Sequence, residues 1–230
     1  MGEEPARGTT EMNRVLISVE GQTEETFVRE ILAAYLWELN VDPNPVIVST
    51  KKVKQGNKFK GGLTSYARVR NEISRLITDT NAVAITTMYD LYKLPTDFPG
   101  YSTRPAGDCF TKATHLENEF QHEISHPRFK PYLQVHEFEA LLFVNPEITA
   151  RMFPEANKVR ELFEIKRGFN SQEEINDGET TAPSKRILQL FPNYDKPLYG
   201  SLIAIEVGLE NIRTECQHFN EWLTWLEGLG

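Results

Sequence analysis

Val15, Leu16, Ile17 and Val19 form an apolar run interrupted only by Ser18, the pattern of a buried strand, over residues 14–19. Beyond it Phe27, Ile31 and Leu32 recur at helical spacing, predicting a helix over 23–39. "LNVDPNP", with prolines at 43 and 45, is expected to stop that helix, and "VIVST" at 46–50 to form a second strand. Val69, Ile73, Leu76 and Ile77 mark one face of a helix from about 65 to 78. Ala82, Val83, Ala84 and Ile85 open a third strand, which should end near Asp90. "TDFPGYSTRPAGD" is too rich in proline and glycine for a regular element. A helix is expected from Cys109 to Ile124, then a strand from about Tyr132 to His136 running into helix near Glu139–Phe143. This β-α-β-α-β-α-β order predicts an α/β fold with a mostly parallel central sheet and helices on both faces.

From residue 146 the pattern turns helical, with segments expected at 146–153, 155–165, 171–175, 183–191 and roughly 198–227. The chain thus divides into a disordered tail (1–13), an α/β core (14–145) and a helical C-terminal part packed on the core (146–230).

Composition narrows the class without naming a function. A hydrophobic content of 40% and a charged content of 25% are ordinary for a folded chain of 230 residues. No apolar window is long enough to span a membrane, and the first residues lack the apolar core of a secretory signal. The two cysteines, Cys109 and Cys216, lie far apart, which fits a reducing, cytoplasmic setting. A net charge of −8 argues against a protein that coats polyanions generally. It is compatible with acidic metal ligands beside a local basic strip, and lysines 51, 52, 54, 58 and 60 form such a strip in a glycine-containing loop.

Carboxylates at strand ends carry the candidate chemistry. Glu20 follows the first strand, Asp90 ends the third, and Glu137 and Glu139 follow the fourth. In a parallel sheet these ends share one edge, where α/β proteins bind ligands. Hard divalent cations take carboxylate oxygens, so Mg²⁺ or Mn²⁺ is the expected cofactor. Glu20, Asp90 and one of Glu137 or Glu139 are the expected ligands, and Glu24, in the next helical turn, is a further ligand or positions a water. Each acid also has an ordinary role in a turn or a helix's first turn. In "INDGETTAPSKRILQLF", Thr181 and Pro183 start a helix whose first turn carries Lys185 and Arg186. Free amides and two cations there would suit a phosphate, although a solvent-facing basic pair serves as well. "YDKPLYG", with Lys196 and Tyr199, extends that surface. "HEISH" at 122–126 matches the H-E-x-x-H zinc pattern, but Pro127 ends the segment at once.

"VEGQTEETFVREIL", "YDLYKLPTDFPG", "VHEFEALLF" and "INDGETTAPSKRIL" resemble, in order, the motifs of a bacterial domain-of-unknown-function family related to Toprim domains. The resemblance covers about Val15 to Leu226, including "GLENIRTECQHFNEWL". Toprim domains place a Glu after the first strand and an Asp-x-Asp after a later one, binding magnesium for phosphodiester chemistry. The resemblance carries Glu20 over as the first acid and Asp90 as the first Asp. Tyr92 stands at the second Asp position and cannot replace a carboxylate ligand. Similar proteins are often encoded beside an ATPase in defence settings. The resemblance therefore implies a metal-dependent nuclease acting on DNA or RNA with an ATPase partner. The alternative is a catalytically inactive regulatory or binding subunit of such a complex.

Overall fold

The computed structural model describes residues 11–48, 63–176, 178 and 180–230. The lysine-rich loop at 51–60 and most of the expected tail lie outside the described residues. The first strand, β1, spans Asn13–Val19.

A helical stretch follows β1: α1 (Gln22–Phe27), a π-helical turn (Val28–Leu32), α2 (Ala33–Leu36) and a short 3₁₀ turn (Trp37–Leu39). Next come β2 (Val41–Ile47), α3 (Tyr66–Ile77), β3 (Ala82–Asp90), α4 (Cys109–Ile124) and the two-residue β4 (Leu133–Gln134). The segment Phe138–Phe143 is 3₁₀ helix, with all six residues buried. The later elements are α5 (Pro146–Arg151), α6 (Val159–Arg167), α7 (Pro183–Leu190), a π-helical turn (Lys196–Gly200), α8 (Ser201–Val207), α9 (Leu209–Glu215) and α10 (Gln217–Glu227).

The sheet is four-stranded in the order β2-β1-β3-β4, and each pairing is parallel. This is an α/β fold with a helical C-terminal part, consistent with the Toprim-like arrangement expected. Val15, Ile17 and Val19 face one hydrophobic cluster, while Leu16 faces the other, with residues of α3 and α4. Both faces of β1 are covered, so its run is apolar rather than alternating. The first cluster also takes Leu162, Ile203, Phe219, Trp222 and Leu226, so the C-terminal helices share a core with β1 and α1.

Two expectations need correcting. The prolines at 43 and 45 do not precede the second strand; they lie inside β2, opposite Val15 and Ile17. β2 is an edge strand and uses one side of its backbone. Val48, of the opposite parity, donates to the Val19 carbonyl at 2.9 Å, so the missing N–H groups of Pro43 and Pro45 fall on the open side. The helix expected over 198–227 is instead divided. Gly208 breaks it with φ of 81°, a conformation that favours glycine, and Cys216 breaks it again in an extended conformation.

Candidate metal centre

The parallel order brings the ends of β1, β3 and β4 to one edge, and the strand-end acids are buried there. Glu20 is 8% exposed, Glu24 4%, Asp90 3%, Glu137 1% and Glu139 2%. Glu20 and Asp90 are directly linked: Glu20 Oε1 accepts the Asp90 backbone N–H at 3.1 Å. Asp90 Oδ1 accepts the Phe138 N–H at 2.9 Å, which fixes the carboxylate against the start of the 3₁₀ segment. Gly21, which follows Glu20, is extended (φ −163°) and adopts a conformation open to any residue.

The middle of the cluster is a lysine. Lys196 Nζ lies 3.1 Å from Glu24 Oε1, 3.3 Å from Asp90 Oδ2 and 3.1 Å from Glu139 Oε2. One ammonium thus joins α1, the end of β3 and the 3₁₀ segment. Beyond this ammonium, the buried Glu139 Oε2 has no hydrogen-bond partner. Gly200 allows the turn carrying Lys196 to sit close to α1. A Cβ there would meet Thr23 Cγ2 at 3.0 Å and the Tyr194 hydroxyl at 3.1 Å. Tyr194 itself is buried, and its hydroxyl has no hydrogen-bond partner.

The electrostatics follow from burial and crowding. Burial raises Glu20 well above the ordinary carboxylate range, and the charges of Asp90 and Glu24 add to the rise, against Lys196 and the Asp90 amide. Burial also raises Asp90, to about 7, with Lys196 opposing and Glu24, Glu139 and Glu137 reinforcing. Glu139 is raised mainly by burial, which outweighs Lys196. Lys196 rises well above its ordinary value, because Asp90, Glu139, Glu24 and Glu20 together outweigh its burial.

Glu137 is engaged differently. Its Oε2 accepts the Ser184 N–H at 2.9 Å, and its Oε1 lies 3.4 Å from Lys93 Nζ. Burial would raise it, but the bonds from Ser184 and the charges of Lys93 and Lys196 hold it below its usual value. An amide in the first turn of α7, expected to be open to a phosphate, is therefore taken by the protein's own carboxylate. Lys185 is exposed on that turn. Arg186 donates to the Thr181 carbonyl at 2.7 Å and lies over the Phe169 ring, 5.5 Å from its centroid. Tyr92 is tied through its N–H to the His136 carbonyl at 3.0 Å. In the "HEISH" stretch, α4 stops at Ile124 and Ser125 is left-handed (φ 49°), so His122 and His126 do not share a helix.

From the sequence, Glu20, Glu24, Asp90 and one of Glu137 or Glu139 are expected together, and Lys196 is expected on the separate basic surface of Lys185 and Arg186; the structure places Glu139 and Lys196 together with Glu24 and Asp90. Tyr194 went unremarked. Among the described residues no three His, Cys, Asp or Glu side chains stand ready-spaced as metal ligands. The acids are spaced around the ammonium instead. The donor set nonetheless suits a hard cation: several buried carboxylates converge on one cationic position, and the buried Tyr194 hydroxyl has no hydrogen-bond partner.

No helix among the described residues is long and apolar enough to cross a membrane. No curated protein and no solved structure matches the chain. A family model, Domain of unknown function (DUF4276), matches residues 19–227, from the end of β1 to the end of α10, so the chain belongs to that family.

Proposed function

We propose that this chain is a metal-dependent phosphodiester hydrolase that cleaves nucleic acid in the cytoplasm, with an ATPase partner in a bacterial defence setting. The observation supporting this reading is the convergence of buried Glu20, Glu24, Asp90 and Glu139 at the carboxyl edge of a parallel sheet. Those four residues would hold Mg²⁺ or Mn²⁺. A bound divalent cation polarises a phosphoryl oxygen and makes water a better nucleophile. The chain's own groups pre-position the acids: the Asp90 amide fixes Glu20, and the Phe138 amide fixes Asp90. Glu137 serves the site indirectly, tying the first turn of α7 to the cluster edge through Ser184. In this reading Lys185, and Arg186 on leaving Thr181, meet the phosphate of the bound strand.

The test is cleavage of labelled single- and double-stranded DNA and RNA by purified protein with Mg²⁺, Mn²⁺ or EDTA. Metal-dependent cleavage lost in both Glu20→Gln and Asp90→Asn supports the reading. Equal cleavage by all three proteins removes it.

A second reading has its own observations. Tyr92 stands where a second acid is expected, and Lys196 already neutralises part of the cluster. Both suit an inert binding subunit of an ATPase complex. Stable association with an ATPase encoded nearby, without metal response or cleavage, would favour it.

A further inference from the structure

Three oxygens from three separate elements surround Lys196 Nζ at 3.1–3.3 Å, an arrangement that a cation rather than a hydrogen-bond acceptor organises. We propose that the Lys196 ammonium holds the cation position of the cluster, so that a divalent ion enters only as Lys196 leaves. This rests on reading the acids as a metal centre.

Four features argue for it. First, Glu24, Asp90 and Glu139 cannot serve both cations at once. Mg²⁺ draws carboxylate oxygens to about 2.0–2.1 Å, and an ammonium pressed on the same oxygens would repel it. Second, the acids and the lysine differ in access. The side chains of Glu24, Asp90 and Glu139 are at most 5% exposed, whereas that of Lys196 is 28% exposed. Part of the lysine side chain therefore reaches solvent while its ammonium sits among the acids. Third, two of the acids are tied to backbone, whereas the lysine is held only through its side-chain charge. Asp90 and Glu20 are held by backbone amides, while lysine carries its charge on a flexible stem. Fourth, Lys196 begins a five-residue π-helical turn whose Leu198 is 54% exposed. Such short turns recur at functional positions.

Lys196 is thus an internal competitor. It keeps the acid cluster compact without metal and sets the concentration at which metal binds. The alternative, that it is a fixed structural ion pair with metal binding elsewhere or not at all, predicts no linkage between the two.

The experiment is Mn²⁺ titration followed by electron paramagnetic resonance and melting temperature, on wild type, Lys196→Met and Lys196→Arg. Lys196→Met keeps the stem and removes the charge, so Mn²⁺ should bind roughly tenfold tighter or better. Lys196→Arg keeps a competing cation and should stay within a few-fold of wild type. Lys196→Met should melt lower than wild type in EDTA and recover with Mn²⁺. If it is unfolded in EDTA, recovery of structure by Mn²⁺ supports the proposal equally. Mn²⁺ binding with equal affinity in wild type and Lys196→Met overturns the competition but leaves the metal centre standing. A Lys196→Met protein that stays unfolded at every Mn²⁺ concentration while wild type binds the ion does the same. Absence of Mn²⁺ binding in all three proteins overturns the metal reading and the competition with it.

Discussion

Glu20 Oε1 accepts the backbone N–H of Asp90 at 3.1 Å, joining the end of β1 to the end of β3 across 70 residues of sequence. The bond needs an oxygen acceptor but not a charge. Glu20→Gln retains that acceptor and removes repulsion with Asp90 and Glu24. In EDTA the variant should melt at or above the wild-type temperature. In Mg²⁺ it should lose cleavage by about 10²-fold or more. Thermal melting beside an oligonucleotide assay checks both halves.

Asp90 makes metal-free stability depend on pH in a defined direction. Its folded pKa of about 7 lies above the ordinary 3.8, so between those values the folded state holds the extra proton. Its contribution to stability is full at low pH and is lost as pH rises through about 7. Relative to Asp90→Asn, wild type in EDTA should lose stability across this window by up to about 1.4 kcal/mol per pH unit. Urea unfolding of both proteins from pH 5 to 8 measures the difference. A pH-independent difference contradicts the assignment.

Glu137 and Glu139, only two residues apart, should part company on mutation. Glu137→Gln can still accept the Ser184 N–H, so Mn²⁺ binding should be retained and melting little changed. Glu137→Ala strips both Ser184 N and Lys93 of a partner and should cost about 1–3 kcal/mol. Glu139→Gln removes an acid of the Lys196 cluster and should weaken Mn²⁺ binding about tenfold or more. A Glu137→Gln variant that loses Mn²⁺ would reverse the two roles.

The C-terminal helices should prove inseparable from the sheet. Phe219 is fully buried with edge contacts to Phe27 and Tyr132, and Trp222 stacks on Tyr132 at 4.4 Å while donating to Thr86 Oγ1. Phe219→Ala should cost about 3–5 kcal/mol, and removal of α10 should leave a chain without cooperative unfolding. Circular dichroism melts report both.

Local pattern carried much of this structure. α4 occupies the expected span, Cys109–Ile124, and β3 ends at Asp90 as expected. Pro43 and Pro45 misled because a missing N–H matters only on a paired side, and edge position is a property of the whole sheet. The long final helix misled because periodicity continues across Gly208 while the backbone does not. The acids at strand ends were legible because parallel strands must present their ends together. Lys196 was not, since it reaches Asp90 from 106 residues away through a turn that depends on Gly200 meeting α1.

One ion is expected among Glu20, Glu24, Asp90 and Glu139, and anomalous diffraction from crystals soaked in Mn²⁺ locates it directly. The expected result is an anomalous peak within coordination distance of those carboxylates, with the Lys196 side chain turned away. A fully soaked crystal showing no peak there, with Lys196 still bridging Glu24, Asp90 and Glu139, would contradict it.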